Sequence, residues 1–112
     1  MNAALKKDIL EIAKANPYGF TVELTTLEKV KNGIVAAYKE TQDCFGAEGL
    51  EKVLMHAESH GKIVGGWLNF ENKRYYFDSC KVFENRDAAI AFGKENEQLA
   101  VFDLGELRVI KL

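Results

Sequence analysis

The stretch GGWLNFENKRYYFD, residues 65–78, gathers the chain's single Trp, four further aromatic rings, a glycine pair and an aspartate around the polar corner Glu71-Asn72-Lys73-Arg74. With a turn centred on Asn72-Lys73, Phe70 pairs with Tyr75, Leu68 with Phe77, Trp67 with Asp78, and Gly65 with Cys80. Strand side chains alternate, so Leu68, Phe70, Tyr75 and Phe77 form an apolar face suited to packing under helices. The opposite face carries Trp67, Asn69, Tyr76 and Asp78, flanked by Gly65 and Cys80. Rings, an amide and a carboxylate beside bare glycine backbone make a surface that can hold a small ligand or a peptide, and these four are the candidate binding residues. The plainer reading is structural, because Trp and Tyr often lie half-exposed on sheets and an Asp can bond neighbouring backbone.

Other chemistry-bearing residues do not assemble into a known pattern. His56 and His60 have the i, i+4 spacing of metal ligands, but HAESH lacks the HExxH order and the chain holds no further His, so no metal site is expected. Cys44 or Cys80 could be paired with either His as nucleophile and base, yet nothing in the sequence brings them together or supplies an orienting group. Gly46-Ala47-Glu48-Gly49 precedes a helix without the Lys-Ser/Thr of a phosphate loop. Asp103 and Arg108 fall opposite each other in a C-terminal hairpin, as a cross-strand ion pair would. Tyr75, Tyr76 and Trp67 with Lys73, Arg74 and Lys81 could stack and clamp a single-stranded nucleic acid, but Glu71, Asp78 and Glu84 dilute that patch. No catalytic residue and no cofactor is assigned, which weighs against an enzyme.

The elements that position these residues follow from periodicity. Leu5, Ile9, Ile12 and Ala13 form one stripe of a helix that stops at Asn16-Pro17. Phe20–Leu24 alternates as a half-buried strand, and Ile34–Glu40 reads as a second strand behind Asn32-Gly33, a favoured corner of a tight hairpin. Residues 25–31 are either a short strand or a loop. Leu50, Val53, Leu54 and Ala57 define a helix over Gly46–His60, with Gly61 suited to its end. Lys62–Phe70 and Arg74–Phe83 are the strands of the aromatic hairpin. Asn85 caps a helix over Arg86–Glu97, with Ala89 and Phe92 on its apolar side and Ala88 a further candidate for it. Leu99–Asp103 and Leu107–Leu112 close the chain around Gly105-Glu106, which suits a type II′ turn.

The order α-β-β-α-β-β-α-β-β predicts an α+β fold: one mainly antiparallel sheet of five to six strands, three helices on one face and the other face free. At 112 residues the chain is read as a single domain, residues 1–112. With 47% hydrophobic and 29% charged residues it has the composition of a globular protein, not of a disordered one. A net charge of −2 supplies no basic field for nucleic acid or anionic membrane. No apolar run approaches the ~20 residues that span a bilayer, and the charged amphipathic start does not resemble a secretory leader. Two cysteines far apart signal neither zinc nor a disulfide framework, so the cytoplasm is the expected compartment.

From Gly65 to Leu104 the chain resembles a small uncharacterised module of phage and conjugative-element proteins of gut-type bacteria, similar to segments of large polyvalent phage proteins. The resembling positions are Gly66, Trp67, Tyr76, Phe77, Asp78, Ala88, Ala89, Gln98, Phe102, Asp103 and Leu104, with Phe20–Leu50 similar in some longer members. The resemblance implies a mobile-element setting and carries no catalytic residues. The expected function is an accessory protein that binds a macromolecule, most simply a protein, through the Trp67/Asp78 face. The alternatives are a small-molecule site or minor enzyme with an Asp-lined pocket over the hairpin, and single-strand nucleic-acid binding. A sheet edge could also pair two copies.

Overall fold

The computed structural model describes residues 3–112; Met1 and Asn2, the first residues of the charged start, lie outside them. The elements are α1 (Ala3–Ala15), β1 (Phe20–Glu23), β2 (Ile34–Ala37), a 3₁₀ turn at Lys39–Thr41, α2 (Gly46–Glu58), β3 (Ile63–Asn69), β4 (Arg74–Phe83), α3 (Arg86–Glu95), β5 (Ala100–Asp103) and β6 (Arg108–Lys111). The expected α+β class and element order hold: the strands form one antiparallel sheet in the order β1-β3-β4-β2-β5-β6. No described helix is long and apolar enough to cross a membrane.

Both hydrophobic clusters lie on the same side of the sheet. Ile9 and Ala13 of α1 and Leu50, Val53, Leu54 and Ala57 of α2 pack on Phe20, Val22, Val64 and Phe77. Ala89 of α3, with Ile90 and Phe92, packs on Ile34, Ala36, Val101 and Ile110. Ala88 is exposed, since α3 turns only the Ala89 edge of that pair inward. The Asn85 side chain caps α3 by accepting from Ala88 N at 2.9 Å. The stop at Asn16-Pro17 doubles as an anchor: Tyr75 Oη donates to the Asn16 carbonyl at 2.6 Å, and Leu68 N to the Pro17 carbonyl at 3.1 Å.

Three hairpin loops share one construction. Glu23, Asn69 and Asp103 each end a strand, four residues follow, and the last of the four, Leu27, Lys73 or Leu107, is left-handed with φ of 61°, 61° and 54°. In each loop the preceding side chain accepts from loop amides: Glu23 Oε1 from Thr25 N and Thr26 N, Asn69 Oδ1 from Glu71 N, Asp103 Oδ1 from Glu106 N.

This construction corrects two expected turns. The loop of the aromatic hairpin is 70–73, so the register moves by two: Trp67 faces Tyr76 and Gly65 faces Asp78. A shift of two preserves every face, whereas a shift of one would have exchanged them. Phe70 leaves the strand and rests, largely exposed, near the Tyr18 ring. In the last hairpin the positive φ falls on Leu107 and not on Gly105, so the turn is not type II′; Asp103 still faces Arg108, but its carboxylate serves the loop.

The expected β1–β2 hairpin does not form. β1 pairs with β3, and β2 lies on the far side of β4, between it and β5. The returning segment instead makes a single bridge, Val22 to Lys29, on the outer edge of β1. Gly33 does take the positive φ that suggested a turn, at 96°, and its carbonyl accepts from Leu104 N. β2 is also shorter than Ile34–Glu40, because the chain leaves the sheet after Ala37 for the 3₁₀ turn and returns at Phe45, opposite Tyr76.

Candidate functional site: a trough on the open sheet face

Strand alternation and register assign the face away from the helices: Thr21 of β1, Gly65 and Trp67 of β3, Asp78 and Cys80 of β4, Val35 and Ala37 of β2, Ala100 and Phe102 of β5, and Val109 of β6. Small side chains hold the centre and large ones the ends. Val30 N bonds to the Thr21 carbonyl on the outer side of β1, and Ile34 begins β2, four strand positions away. Four spacings on a flat sheet are about 19 Å, more than the ~14 Å that four extended residue steps cover, so the sheet curves and residues 31–33 cross its concave face as a strap. That face is the one away from the helices, where a Cβ at Gly33 would meet the Val82 side chain at 2.7 Å. Strap, strands and the β5–β6 loop enclose a trough of about 770 Å³, lined among others by Lys29, Val30, Lys31, Gly65, Trp67, Asp78, Phe102 and Leu107.

Asp78 lies half-buried on the trough floor, with the returning segment of Asp43 and Cys44 alongside β4 at its level. Its cross-strand partner on one side is Gly65, which has no side chain, and on the other side β2 has already left the sheet. A Cβ at Gly65 would come to 3.3 Å from Cys80 Sγ and the Phe20 carbonyl. Among the described residues no cation or hydrogen-bond donor reaches the Asp78 carboxylate. Burial, and secondarily the Asp43 carboxylate, push its pKa up to about 6. Cys80 beside it donates weakly to the Asp78 carbonyl at 3.5 Å, and burial followed by the Asp78 charge holds its thiol well above the usual value. That thiol is protonated and unreactive at neutral pH.

The four candidates of the sequence divide into pairs. Trp67 and Asp78 both line the trough; Asn69 and Tyr76 do not. Trp67, 46% exposed, stacks on Tyr76 at 5.5 Å and 20°. Tyr76 is in turn held by the Phe45 ring at 5.6 Å and by Asn72 Nδ2, which donates to its hydroxyl at 2.8 Å. The Arg74 guanidinium covers the outer side of Phe45 at 4.4 Å. Asn69 is spent on its loop. Tyr76 thus supports the wall that Trp67 presents. Sequence reasoning missed Thr21, Val35, Phe102, Lys29 and Lys31; the unbroken apolar run Ile34–Ala37, the pattern of a strand covered on both faces, carried a signal for the first floor strand beyond the hairpin, and the strap carried none.

The two histidines part company: His56 turns inward from α2, while His60, just past the helix end, stays exposed. His56 Nδ1 hydrogen-bonds Ser79 Oγ at 2.8 Å, and its Nε2 lies 3.4 Å from Glu40 Oε1 without an aligned hydrogen bond. His60 stacks on it at 3.8 Å, and the Tyr38 ring meets both. Burial, then the neighbouring His60, lower the His56 pKa against the opposing pull of Glu40. Glu40, His56 and Ser79 have the residue types of a hydrolase triad, but Ser79 is 0% exposed, so no substrate carbonyl can reach its hydroxyl. The set is a buried polar contact tying α2 to β4. Among the described residues no group of His, Cys, Asp and Glu could hold a metal ion. The aromatic and cationic residues considered for nucleic acid do not share a face: Trp67 and Tyr76 point to the open side, while Tyr75 and Lys81 point to the helix side.

Compared with known proteins, the chain matches no family model, no curated protein and no solved structure.

Proposed function

We propose that this protein is a binding module that holds a segment of a protein partner in the trough of its open sheet face. One observation carries the reading: a concavity of about 770 Å³ with an aromatic wall and an unpaired carboxylate on its floor, on the face that no helix covers. A phage or mobile element using such a binder in the cytoplasm to modulate host machinery is the setting suggested by the C-terminal resemblance. The test is selection of a random peptide library on the immobilised protein, repeated with Trp67→Ala/Asp78→Ala. Enrichment that the double variant abolishes while remaining folded supports the siting; enrichment that survives it puts the binding surface elsewhere.

The shifted carboxyl group favours a second reading, a small-molecule site in which Asp78 exchanges a proton with its ligand. The trough-lining nucleophile beside Asp78, the Cys80 thiol, is held protonated by burial and by the Asp78 charge, so binding takes precedence over catalysis. Ligand screening by NMR separates the two: small molecules shifting Gly65 and Asp78 amides where no peptide does would favour the second.

A further inference from the structure

Resting on the reading of the trough as a peptide site, we propose that its occupant delivers a cationic side chain, a lysine ammonium or arginine guanidinium, to the Asp78 carboxylate. The floor is acidic and unneutralised: Asp78 has no ion-pair partner among the described residues, and Asp43 adds charge of the same sign. The carboxylate is half-buried with its oxygens open to the trough, and a cation with N–H donors that enters there gains a charge-assisted bond no described group of the chain supplies. Of the protein's own trough-lining lysines, Lys31 lies on the strap and Lys29 beside β1, where it is turned to Asn16 Oδ1 at 3.3 Å. The charges are thus sorted by depth, with a basic strap over an acidic floor. A peptide whose basic residue is flanked by acidic ones matches both levels, whereas a free amine must pass the lysines without compensation. The Trp67 ring, held flat by Tyr76, offers a face to the methylene stem or guanidinium of the entering side chain.

The experiment uses the whole protein with 15N labelling and 13C-labelled Asp side chains. Its probes are a blocked pentapeptide with a central lysine between valines and outer glutamates, its norleucine counterpart, and n-butylammonium. The lysine peptide is expected to shift the Gly65, Asp78 and Phe102 amides and to lower the Asp78 titration midpoint. It should bind about tenfold more tightly than the norleucine peptide, as one charge-assisted hydrogen bond allows. Asp78→Asn, with its amide spectrum otherwise intact, should erase that preference. Equal affinity of the two peptides at the trough overturns the cation inference and leaves the binding reading standing. Shifts confined to other surfaces, or none with any probe, overturn both. n-Butylammonium binding as tightly as the lysine peptide, with the same dependence on Asp78, overturns the peptide assignment in favour of a free amine.

Discussion

The two faces of β4 carry alternate residues of one strand into opposite surroundings. On the helix side Phe77 is 1% exposed within the α1–α2 core, and Ser79 is fully buried with its hydroxyl on His56 and its amide on Thr41 Oγ1. On the other side Asp78 and Cys80 face small neighbours, Gly65 and Ala37, and the trough. Every polar group on the first face that the fold buries has a partner drawn from the chain, except the Nε2 of His56, and that atom has Glu40 beside it. The carboxylate on the second face has none. One face is closed by the protein's own groups, and the other leaves a carboxylate open to the trough with no partner among the described residues.

The comparison is broken most severely from the packed side. Phe77→Ala should cost about 3–5 kcal/mol in urea unfolding, while Trp67→Ala on the open side should cost far less, because its ring is already half in water. Similar losses for the two would mean that the open face is also core. Gly66→Ala comes next. A Cβ there would meet the Phe20 ring at 2.7 Å, the Tyr75 ring at 2.8 Å and the Tyr76 carbonyl at 3.0 Å, so about 1–3 kcal/mol should be lost to overpacking. Gly65→Ala, one residue along and on the trough side, should be milder in the same assay, since its nearest contacts are 3.3 Å.

The smallest effect concerns pH and has opposite signs on the two faces. Asp78 is raised in the folded protein from 3.8 to about 6, so the folded state holds its proton more firmly. Its contribution is fully present below the unfolded value of about 4 and is lost as pH rises through about 6. Asp78→Asn should therefore flatten that fall and leave the variant more stable at pH 8, by about 1 kcal/mol once the solvent in the trough has screened the charge. His56 is lowered, so its contribution is present above about 6.5 and is lost as pH falls below it. His56→Gln should flatten the acid side only. Denaturant midpoints between pH 4 and 8 check both, and a variant that flattens the wrong limb would reverse the assignment of the two faces.

The class of fold and the faces of the central hairpin were legible in the sequence because they depend on local periodicity. Leu50, Val53, Leu54 and Ala57 repeat at helical spacing, and Trp67, Tyr76 and Asp78 keep their face under any even shift of register. The strand order was not legible. Asn32-Gly33 has the backbone preference of a hairpin corner, and Gly33 takes that conformation, but which strand follows which in the sheet is decided by burial of Ile34 and Ala36 against α3. The trough depended on that long-range choice. The strap exists only because β2 lies across β3 and β4 from β1, so Lys31 could not be read as part of a site. The inward turn of His56 was hidden for a similar reason: its partner Ser79 is 23 residues away, on the strand beneath α2.

The most direct test of the open face is the side-chain 13C titration of Asp78 in the free protein. The account predicts a midpoint raised to about 6, and a fall in that midpoint when a cationic peptide occupies the trough. A midpoint near 4 would mean that the carboxylate is solvated or already paired, and the trough would lose the feature that marks it as a site.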